Sequence, residues 1–392
     1  MALSSWVRLA FSAAALAALG CSSDDGDGDG AAERRLFEYA EPGELGRFPV
    51  GFVTRPFIDS SRPELATTAA DDKRILPSIV WYPAAEETRA AAKSTYSKFL
   101  LPAQANAMGL LAPPGFLDTE SLGVKDAQLA EDGPFPVIVF SHGNGGIGVQ
   151  SFFLTEYLAS HGYIVVCPDH TGNALLTQLP DGTTIGPGGQ DRMYANAVAD
   201  RIADVSFLVD ALGDLNDSDP DGRFTGKVDL EHVGLTGHSF GGLTTLMGMQ
   251  EDPRFDAGSP MAPAVPEPQS LPKPILYFWA TEDQTLPAEP VQAHYAGHTA
   301  SKMLVSIQDA GHFSFTNGCP LGLGDGDGCG SATRAGTGEP FTFLPDVRVH
   351  AITKYYQTAF WGLYLKSVGA YRDDLGAEPF APDVTLTRDR MP

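Results

Sequence analysis

Three segments of the chain contain a serine, an aspartate and a histidine whose types and order suit acyl transfer. The segment "LTGHSFGGLTTL" (Leu235–Leu246) places Ser239 in a G-x-S-x-G motif, while "TEDQTLP" offers Asp283 and "DAGHFSF" offers His312. In this chemistry the serine attacks a carbonyl carbon, the histidine takes its proton, and the aspartate orients the imidazole. Glycine and serine are common, so the motif alone is a hypothesis, and a serine that caps a helix fits the same residues.

The same chemistry needs two donors for the negative oxygen that forms on the substrate. The segment "FSHGNGG" follows the apolar run "PVIVF", and its backbone amide at Asn144 is the first candidate. The amide of Phe240, directly after the serine, is the second. Glu282, next to Asp283, is the alternative acid.

These residues require a sheet whose strands end at a common edge. The early runs "PVGFVTRPFID" and "LPSIVWYP" indicate two antiparallel strands, and residues 84–132 form a partly helical insertion. From "FPVIVFS" onward, short apolar strands alternate with helical patterns, which favours an α/β fold with a mostly parallel central sheet and helices on both faces. Ser239, Asp283 and His312 each follow a strand, so we expect them to meet at the carboxyl edge.

Four segments together carry a family resemblance: "FSHGNGG", "GHSFGG", "ATEDQTLP" and "DAGHFSFTNGCPL". They resemble bacterial α/β-hydrolases that are grouped with platelet-activating-factor acetylhydrolases and predicted dienelactone hydrolases, and they are similar to cutinase-like polyester hydrolases. The resemblance implies an α/β-hydrolase fold and a cofactor-independent carboxylic ester hydrolase acting on a small-molecule or polymeric ester. It also implies that Ser239 is the nucleophile and that the amides of Asn144 and Phe240 bind the oxyanion. Esterase, lipase, polyester hydrolase and lactonase activities all remain open.

The position of the acid departs from one branch of that resemblance. In the animal acetylhydrolases the acid follows the strand directly after the nucleophile helix, but the matching segment here, "AGSPMAPAVP", reaches no carboxylate before Glu267. Asp283, one strand later, fits the polyester-hydrolase and dienelactone-hydrolase pattern. Phospholipid specificity is therefore not implied.

The first 35 residues indicate export. Residues 1–21 are typical of a lipoprotein signal peptide, because an apolar run of Leu9–Leu19 precedes Gly20 and Cys21. The segment resembles a lipobox with Ala18 at the usual leucine position, which predicts lipidation at Cys21. A plain secretory signal is the alternative. Residues 22–35 form a flexible Gly/Asp-rich tether, and residues 36–392 form one catalytic domain.

Composition narrows the partners and the location. The net charge of −23 argues against binding to nucleic acid or to an anionic membrane surface, so we expect membrane attachment through the lipid anchor alone. Serine at position 22 favours the outer membrane of a Gram-negative cell envelope. In an exported protein Cys319 and Cys329 are expected to form a disulfide, whereas Cys167 is expected to be a buried free thiol. The oligomeric state is left open.

Further motifs offer rival interpretations. "GNGGIG" (143–148) with Asp169 matches a dinucleotide-binding fingerprint, which would make the chain an NAD-dependent oxidoreductase; a non-catalytic binding module is the other alternative. His294 and His298 have metal-ligand spacing, but we predict a solvated helix face. "DSDPDGRFTGKV" (217–228) resembles a calcium loop without its final glutamate, so a polar connection is predicted.

We also predict what surrounds the substrate. The insertion 84–132 and the loop 171–189 are rich in Leu, Met and Pro in places and are expected to frame an apolar acyl pocket. Phe313 and Phe315, beside the expected base, line that pocket or pack in the core.

Overall fold

The computed structural model describes residues 38–67, 71–187, 196–265, 271–334 and 336–391. The predicted signal peptide, the predicted lipidation site Cys21 and the whole tether lie outside these residues, and so does Glu267. No helix in the described ranges is long and apolar enough to cross a membrane.

The fold is built on one ten-stranded sheet. Its strands are β1 (Val50–Pro63), β2 (Lys73–Pro83), β3 (Gly123–Lys125), β4 (Phe135–Ser141), β5 (Ile164–Pro168), β8 (Val228–His238), β9 (Phe255–Met261), β10 (Ile275–Ala280), β11 (Lys302–Ile307) and β14 (Val384–Asp389). Two small hairpins lie apart from it, β6 (Thr177–Gln178) with β7 (Thr184–Ile185), and β12 (Ser331–Thr333) with β13 (Pro340–Thr342).

The strand order is β14-β11-β10-β9-β8-β4-β5-β2-β1-β3. The six strands from β11 to β5 run parallel to one another, whereas β1 and β2 are antiparallel and β14 pairs antiparallel with β11. The mostly parallel sheet and its antiparallel beginning confirm the predicted α/β-hydrolase fold. Both β4 and β8 end at the same edge, next to each other, which brings the loop after Ser141 beside Ser239.

Helices cover both faces because the central strands are apolar on both sides. The helices are α1 (Pro102–Leu111), α2 (Phe152–Ser160), α3 (Ala197–Ser218), α4 (Phe240–Glu251), α5 (Ala288–Gly297), α6 (Asp346–Tyr364) and α7 (Tyr371–Gly376). Along β4, Ile138 and Phe140 pack into the core shared with α2 and α6, while Val137 and Val139 pack into the core shared with α3, α4 and α5. This alternation makes a three-layer domain.

Two features at the edges of the sheet were not predicted from the sequence. The insertion 84–132 contains α1, three short 3-10 turns and β3, which extends the sheet beyond β1. The chain continues after α6 with α7 and the edge strand β14, which pairs antiparallel with β11.

Candidate active site

Ser239 lies on the sharp turn between β8 and α4. Its backbone has φ 57° and ψ −115°, a strained conformation that costs on the order of 1–3 kcal/mol and that must be held by its surroundings. A Cβ at Gly237 would come within 2.5 Å of the Ser141 carbonyl oxygen, and one at Gly241 would overlap that same oxygen. Both glycines of the motif are therefore required by close approach of the backbone to β4. The half-buried serine stands at the carboxyl edge of the sheet, at the start of a helix.

Asp283 and His312 form a buried pair. The imidazole Nδ1 lies 2.8 Å from Asp283 Oδ2, and each side chain is only 2% exposed. Asp283 Oδ1 accepts hydrogen bonds from the amides of Thr285 and Leu286, which fix the carboxylate in its loop. Because Nδ1 faces the carboxylate and carries the proton, Nε2 is left as the acceptor. Glu282 is instead paired with Arg334, so the structure brings Asp283 rather than Glu282 to the histidine.

The two candidate oxyanion donors lie on the loops that flank Ser239. Phe240 is the first residue of α4, where an amide has no acceptor within the helix. Asn144 is exposed on the loop after β4, and a Cβ added to its neighbour Gly143 would lie 3.6 Å from the Cβ of Ser239. That loop is held in place, since the amide of Gly143 donates to Gln150 Oε1 at 2.9 Å.

A chain of hydrogen bonds that the motifs did not predict links this loop to His312. Gln150 Nε2 lies 3.0 Å from His238 Nδ1, and His238 Nε2 lies 2.8 Å from the carbonyl oxygen of His312. The side-chain NH₂ of Gln150 donates to Nδ1 of His238, so Nε2 of His238 carries the ring proton and donates it to the carbonyl oxygen of His312. Burial, with the nearby His312, lowers the pKa of His238 well below its ordinary value, which keeps this ring neutral. His238 lies inside the serine motif, directly before Ser239. That position is the sequence signal that could have identified it as part of the site.

The predicted disulfide is present and belongs to the same site. Cys319 and Cys329 are bonded, with Cα atoms 5.6 Å apart, and they close a loop that contains Asp327. Asp327 Oδ1 accepts from the amides of His312 (2.8 Å) and Gln284 (2.9 Å). One carboxylate therefore ties the loop of the acid to the loop of the base. Cys167 is free and buried, as expected.

The residues of the dinucleotide-binding fingerprint make structural contacts within the fold. Asp169, its expected ribose-binding acid, is buried and accepts from the amide of Gly148 at 2.7 Å and from Gln104 Nε2 at 2.6 Å. The carboxylate thus holds the glycine loop against the insertion.

The prediction of a solvated face for His294 and His298 is wrong, because both side chains are 1% exposed. His294 Nδ1 lies 2.9 Å from the hydroxyl of Tyr277, and His298 Nε2 donates to the carbonyl of Lys273, so both rings pack between α5 and the sheet. The described part of the chain contains no cluster of three or more His, Cys, Asp or Glu side chains arranged for a metal ion.

In the calcium-like loop, the carboxylate of Asp219 has hydrogen-bond and ion-pair partners from the protein itself. Asp219 accepts hydrogen bonds from the amides of Arg223 and Phe224 and forms an ion pair with Arg55. These contacts stabilise the segment as a turn between α3 and β8.

A cavity of about 370 Å³ lies between the insertion and the described part of loop 171–189. Its walls include Phe99 and Leu101 from the insertion, Leu179 from the loop, and Val149 from the loop that carries Asn144. Ser239, Asp283 and His312 are not among its lining residues. Both predicted segments thus frame a cavity, which is lined by residues beside the carboxyl edge of the sheet rather than by the serine itself.

Of the two phenylalanines beside His312, Phe315 packs fully buried in the core. Phe313 is half-buried and makes an edge-to-face contact with the His312 ring, with 5.2 Å between ring centroids.

Comparison with known proteins finds a matching family model and similar hydrolases. Residues 125–318 match the dienelactone hydrolase family model. Platelet-activating factor acetylhydrolase from Cavia porcellus is 24% identical over 216 residues, which cover 47% of this chain and 48% of that protein. The Bos taurus protein of the same name is 26% identical over 184 residues, covering 39% and 41%. The chain therefore spans about half or less of the curated relatives it matches.

The likeness to a solved structure is more extensive. Ferulic acid esterase from Streptomyces cinnamoneus superposes with a TM-score of 0.68 and 25% identity, covering 87% of this chain and 97% of that one. The resemblance read from the four motifs is thus confirmed as a relationship to the dienelactone hydrolase and acetylhydrolase group of α/β-hydrolases.

Proposed function

We propose that this chain, an α/β-hydrolase related to the dienelactone hydrolase family, hydrolyses carboxylic esters through an acyl intermediate on Ser239. The observation that carries the proposal is the buried Asp283–His312 pair at 2.8 Å, located at the same sheet edge as a serine held in a strained turn. A serine that merely capped a helix would need neither the strained backbone nor an oriented imidazole. The relatives named as acetylhydrolases and as an esterase support the same reaction class.

The reaction proceeds in two halves. Ser239 Oγ bonds to the ester carbonyl carbon while its proton passes to His312 Nε2, and Asp283 stabilises the resulting imidazolium. The amides of Asn144 and Phe240 donate to the oxyanion of the tetrahedral intermediate. His312 then gives its proton to the departing alkoxide, leaving an acyl-Ser239. Water repeats the sequence with the same base, releasing the carboxylic acid and restoring the serine. Each step is assigned to side chains and amides of this chain, and we propose no cofactor.

The substrate is proposed to place an apolar group in the 370 Å³ cavity. Support comes from its position, because the wall formed by Gly148 and Val149 belongs to the loop that presents Asn144. The lining is mostly apolar but also contains two carboxamides, Gln104 and Gln178, and two charged residues, Arg55 and Asp169, so it suits an acyl chain or a ring of moderate size that carries a polar substituent.

The activity is tested with p-nitrophenyl esters from acetate to palmitate. We expect hydrolysis by the wild type, loss of it in Ser239→Ala, and no change with EDTA. Full activity in Ser239→Ala would overturn the mechanism.

The cavity is tested by matched substitutions on one loop. Leu179→Trp fills the cavity and should shift the preferred acyl chain to shorter lengths, whereas Leu175→Trp, at a residue 49% exposed, should leave the preference unchanged. An unchanged acyl-chain preference in both variants would show that the cavity does not bind the substrate.

We also propose that the protein is exported and anchored through lipidated Cys21. Cys21→Ser should release it from membranes into the soluble fraction while its esterase activity is retained. Membrane retention of that variant would argue against the anchor.

A further inference from the structure

We propose that Arg201, on α3, is a positioning residue for the oxyanion hole, acting on the peptide between Gly143 and Asn144 and on the side chain of Phe240. The inference rests on the proposed ester hydrolysis and adds a residue to it. Nothing in the serine motif or in the acid–base pair points to α3.

The guanidinium group of Arg201 is aimed at the loop after β4. Arg201 is fully buried, and its Nη2 donates to the carbonyl oxygen of Gly143 at 3.0 Å. Its Nη1 donates to the carbonyl oxygen of His142, and its Nε donates to Asn173 Oδ1 at 2.7 Å. The carbonyl of Gly143 belongs to the same peptide unit as the amide of Asn144. In a trans peptide that amide faces away from the carbonyl, so fixing the oxygen fixes the direction of the N–H.

A second donor acts on the same carbonyl. His142 Nε2 accepts from the amide of His170 at 3.1 Å, so the proton of the neutral ring is on Nδ1, which lies 2.7 Å from the Gly143 oxygen. Burial and the neighbouring Arg201 lower the pKa of His142 well below its ordinary value, which keeps the ring neutral. Two N–H groups thus polarise one carbonyl, and hydrogen bonds linked through a peptide strengthen each other by an estimated 10–30% per bond. The amide of Asn144 becomes a better donor to a negative oxygen.

Arg201 also reaches the other proposed donor. Its guanidinium carbon lies 4.7 Å from the centroid of the Phe240 ring, a distance typical of cation–π contact. One side chain therefore contacts both the peptide unit that carries the Asn144 amide and the ring of Phe240. The two donors come from different loops, and Arg201 sets the spacing between them.

The electrostatics of Arg201 argue against a purely structural ion pair. Among the described residues its hydrogen bonds go to uncharged acceptors, while nearby Asp204 is bonded to Arg62, Arg74 and His170. Burying a cation without a bonded carboxylate is costly, and burial lowers the pKa of Arg201 to about 9. The group keeps its charge at neutral pH, since that value is still above 7. A positive charge behind the peptide favours the oxyanion more than the neutral ester.

The test compares Arg201→Lys and Arg201→Gln with Arg74→Lys. Arg74 is similarly buried and bonds Asp204, Glu64 and the carbonyl of Thr171, and within the described ranges none of its hydrogen bonds reaches the loop of Asn144. All rates are divided by the concentration of serine titrated with an organophosphate, so a reduced folded fraction does not count as reduced catalysis. We expect kcat to fall about 10- to 100-fold in Arg201→Gln, less in Arg201→Lys, with KM within about twofold of the wild type. Arg74→Lys should lower the unfolding temperature and leave kcat per titrated site unchanged.

A transition-state mimic separates positioning from stability. The Ki of a trifluoromethyl ketone, which forms a tetrahedral adduct with the serine, should rise in the Arg201 variants by the same factor as kcat/KM falls. The inference would be overturned if Arg201→Lys and the folded fraction of Arg201→Gln both kept the wild-type kcat per titrated site. Equal losses in kcat for Arg74→Lys would also overturn it. An inactive wild-type protein would instead refute the proposed function, so the two failures are distinguishable.

Discussion

Asp327 offers the sharpest test of how the site is assembled. Its carboxylate Oδ1 accepts from the amides of His312 and Gln284, and its Oδ2 accepts from Thr285 Oγ1 at 2.7 Å. The change Asp327→Ala leaves those two amides without their acceptor. The His312 amide is buried, whereas the Gln284 amide is only partly buried, and an unsatisfied buried donor costs roughly 1–3 kcal/mol, so we expect the free energy of unfolding to fall by about 1–3 kcal/mol.

The same change should lower catalysis, because the loops of the acid and the base lose the group that connects them. A misplacement of about 1 Å in a catalytic group costs on the order of 10²-fold, and we expect kcat for a p-nitrophenyl ester to fall about 10- to 100-fold.

Asp327→Asn is the matched control. Its carbonyl oxygen can accept from both amides while its NH₂ donates to the hydroxyl of Thr285, which both donates and accepts. This variant should stay within about threefold of wild-type kcat, since the geometry rather than the charge does the positioning. Stability is measured by urea unfolding and activity by steady-state kinetics. Equal kcat in Asp327→Ala and the wild type would refute the reasoning.

Three further outcomes follow from other contacts. Breaking the disulfide by Cys319→Ser should lower the free energy of unfolding by about 2–3 kcal/mol and reduce activity; unchanged unfolding and rates in dithiothreitol-treated wild type would count against this role. Gly241→Ala should abolish activity or folding because its Cβ would overlap the Ser141 oxygen, whereas Gly336→Ala has open space and should behave as wild type; an active Gly241→Ala would contradict the turn geometry. Burial raises the pKa of Glu156 to about 8, so the unfolded chain releases this proton at lower pH than the folded one. Stability relative to Glu156→Gln should therefore fall by about 2–3 kcal/mol between pH 5 and 7 in thermal or urea unfolding, and a pH-independent difference would show that the carboxyl is ionised in the fold.

The catalytic edge was predictable because it is encoded locally. Apolar strands run directly into "GHSFGG", "TEDQ" and "DAGH", and the carboxyl ends of parallel strands meet in space. The fold class, the antiparallel start and the disulfide could likewise be inferred from short patterns.

What the sequence did not reveal depends on contacts between distant segments. His294 and His298 are buried because their helix face packs on the sheet, and a short helix with few apolar residues gives no sign of that. The edge strand β14 has an alternating polar pattern that local propensity cannot distinguish from an exposed tail.

Arg201 was missed for a similar reason. It falls on the same helix face as Val205 and Leu208, four and seven residues later, and a charged residue at such a position is a signal of a buried partner. The partner itself, the carbonyl of Gly143, could be found only once α3 was placed beside the loop after β4.

The proposed mechanism requires a covalent acyl group on Ser239, and this group can be trapped by rapid acid quenching. The protein is mixed with an activated ester, quenched in acid within milliseconds, and analysed by intact mass and peptide mapping. We expect up to one acyl group per chain, located on the peptide that contains Ser239, and none in Ser239→Ala. Turnover of the ester with no adduct, or with an adduct on another residue that forms and decays at the catalytic rate, would contradict it.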